Sequence, residues 1–149
     1  MPDFRYLPFL LIQLASLTPA LATPPPPKHP IVGTWDVYVT GTDCVETWEI
    51  RADGTTHNFS GAEESFSEYQ VSRSPNKQGS YIFLDTITRT NGRPDCLGGR
   101  TPAGNQATDY LVPLPGDRFK ICSDAALADC VGVLVRASPP ACPHFRSCL

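Results

Sequence analysis

Six cysteines and three histidines hold most of the chemistry that this sequence could offer. Of the histidines, His29 lies in a proline-rich stretch, His144 lies near the C-terminus, and only His57 falls in an alternating segment that would hold it rigidly. No Gly-x-Ser-x-Gly elbow accompanies it, so a nucleophile and base arrangement finds no support and a cross-strand or solvated histidine is expected. Glu46 and Glu49 have the look of an acid and base pair. Residues three apart on a strand point to opposite faces, however, which makes them a rim and a surface carboxylate. Cys142-Pro143-His144 and Cys148 put three soft ligands within seven residues but lack a fourth, so a local disulfide is expected there rather than zinc. No catalytic residue, metal or cofactor is expected, and the chain reads as a non-enzyme.

The cysteines acquire meaning from the N-terminus. Residues 1–22 carry Arg5, an apolar run from Leu7 to Leu17 and then Ala20-Leu21-Ala22, the small-x-small pattern of a cleaved export signal. The run is too short for a membrane-spanning helix, which needs about 20 apolar residues. An exported chain meets an oxidising compartment, secreted or periplasmic, where an even number of cysteines reads as a disulfide framework. Proximity favours Cys44 with Cys96, Cys122 with Cys130, and Cys142 with Cys148. No cysteine follows the cleavage site directly, so no lipid anchor is expected. Asn58-Phe59-Ser60 matches a glycosylation acceptor that matters only in a eukaryotic secretory route, and a bacterial exported protein is the reading preferred here.

Composition narrows the partners. The net charge is −3 and no basic stripe occurs, which argues against nucleic acid. Scattered carboxylates give no calcium loop, and a monomer is expected. The 16 prolines gather at the ends. Residues 23–30 read as a stiff proline-rich spacer, 31–137 as one β domain, and 138–149 as a tail rich in proline and cysteine.

Short alternating runs separated by turn residues fill the domain, with no convincing helical period. Strands are expected over Thr34–Thr40, Cys44–Arg51, Thr55–Ser60, Phe66–Ser72, Tyr81–Arg89, Asp109–Leu114, Arg118–Cys122 and Val131–Arg136. Trp35, Val37 and Val39 share a face, as do Trp48 and Ile50, while Tyr110 and Val112 are placed opposite Phe119 and Ile121. Ala52-Asp53-Gly54-Thr55 and Pro115-Gly116-Asp117 supply turns. Ser123 to Asp129 could form one helical turn. The stretch Asn91 to Ala107 is a long loop tethered by Cys96, of the kind that is functional or disordered. Eight strands in hairpin order predict an all-β, disulfide-stabilised antiparallel meander closed into a small barrel, since closure removes exposed edges.

Gly33-Thr34-Trp35 opening the first strand, Thr108-Asp109-Tyr110 opening a later one and Arg136 ending the last resemble the signature spots of the lipocalin and calycin group. The resemblance covers three short spots, and the chain lacks the usual helix after the barrel. It implies a structural role for Gly33, Trp35 and Arg136, with Arg136 stacked over Trp35 at the closed end. Two binding functions then stand as expectations. One is a small lipocalin-like carrier of an apolar or aromatic ligand held among Trp48, Tyr69, Phe83 and Tyr110. The other is a secreted or periplasmic protein-binding module, such as a hydrolase inhibitor, that presents the 91–107 loop with Arg93 and Arg100 as anchors.

Overall fold

A computed structural model of the chain describes residues 25–26 and 28–138. The export signal, its cleavage site, His144 and the expected Cys142–Cys148 pair lie outside the described residues. Eight strands follow in order: β1 (Gly33–Val39), β2 (Val45–Ile50), β3 (Thr55–Ser60), β4 (Glu63–Val71), β5 (Tyr81–Thr90), β6 (Gln106–Leu114), β7 (Arg118–Cys122) and β8 (Cys130–Arg136). Each pairs antiparallel with the next and β8 pairs with β1, so the sheet closes into a barrel and leaves no edge strand.

Turn chemistry brings the strands back on themselves. After β2, Gly54 takes φ 87° and the Asp53 carboxylate accepts from the Thr55 amide at 3.0 Å, which fixes the β2–β3 hairpin. Between β6 and β7, Gly116 and Asp117 both adopt positive φ. Asp117 then faces Arg136 across the closed end, where the two form an ion pair.

Side chains alternate in and out along every strand, and the inward set near the ends where β1 starts and β8 finishes is apolar. Trp35, Ile50, Phe83, Leu111 and Leu134 are buried there, with Phe119 edge-on to Trp35 at a centroid distance of 5.4 Å. Residues 28–32 cross beneath them as a strap. Ile31 is fully buried, its carbonyl accepts from Trp35 Nε1 at 2.7 Å, and His29 Nε2 donates to Ser72 O at 3.1 Å. The Arg136 guanidinium lies 4.0 Å over the Trp35 ring and donates to the carbonyls of Pro30 and Val32. A side chain at Gly33 would collide with that guanidinium, and Gly33 itself sits at φ 145°.

Two expectations are corrected. Residues 123–129 form a single tight turn, closed by Leu127 N–H to Asp124 O at 3.1 Å, with bends on either side and no helix, because the Asp124 side chain accepts from the Asp129 amide at 2.6 Å and Leu127 takes φ 59°. In the β6–β7 hairpin Leu111 pairs with Ile121 and Pro113 with Phe119, one residue away from the expected register. Because the side-chain period is two, this slip exchanges the faces of β6: Leu111 turns into the core, and Tyr110 pairs with exposed Ile82 on the outside.

Candidate functional site in the barrel mouth

The same parity that builds the floor decides what lines the mouth. On β2, Ile50 is in the core, so Trp48 and then Glu46 follow it upward on the inner face. On β4, Tyr69 leads back through Ser67 and Ser65 to Glu63. On β5, Phe83 leads to Asp85 and Ile87, and on β6, Leu111 leads to Asp109 and Ala107. Four strands thus deliver one carboxylate each to the upper interior. They surround a chamber of about 180 Å³, which Asp95 and Thr101 of the 91–105 loop help to line from above.

The carboxylates differ in how they are held. Glu46 accepts from Ser60 Oγ at 2.8 Å and from Trp48 Nε1 at 2.9 Å, which fixes the indole plane. Glu63 is buried and accepts from the Thr101 amide at 3.1 Å, tying the loop to β4. Asp85 and Asp109 have no such anchor. Burial pushes both carboxyls up to about 6, and Asp109 adds to the effect at Asp85 by like-charge repulsion. The Ser67 hydroxyl lies near enough to Asp85 to favour its charged form, yet makes no hydrogen bond of good geometry. Asp85 Oδ1 and Asn58 Oδ1 are likewise buried without a partner. Among the described residues, no salt bridge reaches any of these carboxylates, and no lysine, arginine or histidine lines the chamber.

A second chamber of about 230 Å³ adjoins the first. It shares Glu46, Trp48 and Asp109 with it, but its other walls are Val37, Val39, Ile121, Val131, Gly132 and Leu97. Trp48 therefore stands between an acidic compartment and an aliphatic one.

The long loop roofs both. Cys96 is bonded to Cys44, and Cys122 to Cys130, so both disulfides lie at the mouth. A disulfide bridging residues 52 apart restricts the unfolded chain strongly, an effect worth roughly 2–4 kcal/mol. Gly61 in the β3–β4 turn takes φ 57°, and a Cβ there would press on the backbone of Asp95 and Cys96. Asp95 Oδ1 accepts from the amides of Leu97 and Gly99, each at 2.8 Å, and Arg100 donates to Gly92 O at 2.6 Å. Arg93 is exposed, as is Leu97 at 59%.

Of the residues assigned to a ligand from sequence, Trp48 and Phe83 line the acidic chamber. Tyr69 lines neither: it stacks on Phe83 at 5.0 Å in the floor and donates its hydroxyl to Arg51 O at 2.7 Å. Tyr110 is corrected from an interior to an exterior position by the register described above. His57 lies on the outer face, stacked on Phe66 at a centroid distance of 4.2 Å and 2.9 Å from Glu64. Glu46 and Glu49 do face opposite ways, Glu46 inward and Glu49 outward beside Arg51. Sequence reasoning missed Glu63, Asp85 and Asp109. Counting back by twos from one core residue per strand would have found all three.

Fold and site together define a closed eight-stranded antiparallel barrel with an apolar floor and an acidic, roofed mouth. Compared with known proteins, the chain matches no family model, no curated protein and no solved structure.

Proposed function

We propose that this protein is an exported binding barrel, lipocalin-like in design, that carries a small amphipathic molecule in its mouth and performs no chemistry on it. The observation that carries this reading is the pair of adjoining chambers, about 180 and 230 Å³, meeting at Trp48. Ligand sites are concave and largely preformed, with a few polar groups set among apolar walls. A filled interior would instead have left only the loop to act. Two disulfides at the mouth suit an oxidising compartment and preorganise the roof, which lowers the entropy cost of binding. The expected ligand differs from a purely apolar one because half of the mouth is acidic.

The competing reading is a protein partner seated on the tethered loop, favoured by the exposure of both Leu97 and Arg93 on it. Native mass spectrometry of protein purified from its host compartment separates the two. A retained small molecule that is lost in Trp48→Ala supports the carrier. A retained protein that survives Trp48→Ala but is lost in the Arg93→Ala, Arg100→Ala double variant replaces the carrier with the loop-binding module.

A further inference from the structure

We infer that the ligand is an organic cation, an amine whose charged nitrogen sits among the carboxylates and whose flat apolar part lies along Trp48 toward the aliphatic chamber. This rests on the carrier reading. Four carboxylates from four strands converge on one enclosed space with no counter-cation among the described residues. Enclosed charges of one sign are costly without a partner. The unpartnered buried atoms there include the oxygens Asp85 Oδ1 and Asn58 Oδ1, both acceptors. Asn58 Nδ2 donates one of its two N–H groups to Thr56 Oγ1, and the amide oxygen is left as a free acceptor. Ser67, buried at 2% exposure on the inner face of β4, sets only one hydroxyl donor beside Asp85. Donors, rather than acceptors, are what the acidic chamber lacks.

The spacing of the oxygens separates an amine from a metal ion. A hard cation gathers six or more oxygens at about 2.3–2.6 Å around one point. Here the one group of three ligand atoms lying within 4.8 Å of one another, among the described residues, is Cys44, Glu46 and Cys96, and both cysteines are spent in a disulfide. The remaining carboxylates bring no three oxygens that close together, so a cation here is held by two of them at most, which satisfies an ammonium with a body behind it but leaves a hard metal ion short of ligands. Size points the same way. A cavity of about 150 Å³ accommodates a benzene ring, so the acidic chamber admits a small aryl group or a short aminoalkyl arm but not a large lipid. Trp48 offers only its face, because Nε1 is committed to Glu46, and an indole face attracts cations and flat rings.

The test uses the mature protein and isothermal titration calorimetry at pH 7.5 with three probes of matched size: 2-phenylethylamine, 2-phenylethanol and 3-phenylpropionate. The amine is expected to bind at least tenfold more tightly than the alcohol, with the acid weakest. In the Asp85→Asn, Asp109→Asn double variant the amine should lose at least tenfold in affinity while the alcohol is unchanged, with melting temperature confirming that the variant is folded. Equal binding of amine and alcohol to the unmodified protein overturns the cation inference and leaves the carrier reading standing. Binding of none of the three overturns both. Displacement of the amine by millimolar calcium would assign the carboxylates to a metal and overturn the inference as well.

Discussion

Floor and mouth of this barrel are made by the same eight strands with the same alternation, yet they solve opposite problems. At the floor, the polar groups that close the barrel are partnered, with Ser80 Oγ the exception among the described residues: Trp35 Nε1 meets Ile31 O, and Arg136 spans two strap carbonyls, the Trp35 face and Asp117. At the mouth, carboxylates are brought inside with too few donors, and two chambers stay open beside Trp48. The difference teaches where stability and function reside. A fully satisfied polar network rigidifies a core, whereas a partly satisfied one is kept at a cost that binding can offset.

The two tryptophans give the sharpest way to break that comparison. Trp35→Ala removes a wholly buried indole from the floor and should cost on the order of 3–5 kcal/mol. Trp48→Ala removes a half-buried ring that already borders empty space, and about 1–2 kcal/mol is expected from the usual range for such changes. Urea denaturation of both variants measures the contrast. Equal losses would mean that the mouth is packed as tightly as the floor.

Much of the floor was legible in the sequence, and much of the mouth was not, for one physical reason. Apolar alternation marks an inner face only where the inside is apolar. Trp35, Val37 and Ile50 announce themselves, and the eight strands with their turns follow. On β4 the rule inverts: Glu63, Ser65 and Ser67 go inside while Phe66 goes outside, packed between His57 and Arg89. A reader who equates polar with outward misplaces that segment. On β6, Tyr110 and Val112 look as good an inner face as Leu111, and only the register with β7 decides between them.

A second prediction sharpens the mouth. Asp85 and Asp109 have carboxyls raised to about 6 in the folded protein, against about 4 in an unfolded chain. Between pH 4 and 6 the native state therefore binds more protons than the unfolded one, so this contribution to stability falls as pH rises through that window and stays low above it. Asp109→Asn should stabilise the unliganded protein at pH 7.5 by roughly 1–3 kcal/mol. The gain should vanish by pH 4. A gain that persisted at pH 4 would trace to packing rather than to charge.

The smallest expected effect belongs to the floor and has the opposite sign. His29 is buried at 4% exposure, edge-on to Tyr81 at 4.8 Å. Its Nδ1 accepts from the Ile31 amide at 3.3 Å, which leaves Nε2 to donate to Ser72 O at 3.1 Å and makes the neutral ring the form that fits. Burial lowers its pKa below the ordinary 6.5, outweighing the Ser72 bond. A base that is harder to protonate when folded contributes stability that is fully present above the unfolded pKa and is lost as pH falls below it. Acidification from pH 7.5 to 5 should thus weaken the floor through His29 while relieving the mouth through Asp85 and Asp109. Measuring stability against pH in the Asp85→Asn, Asp109→Asn background isolates the floor, where stability should decline on acidification. Adding His29→Gln, which keeps a donor for Ser72 O but cannot titrate, should flatten that decline. An unchanged slope would assign the acid sensitivity to other groups and leave the strap's attachment independent of pH.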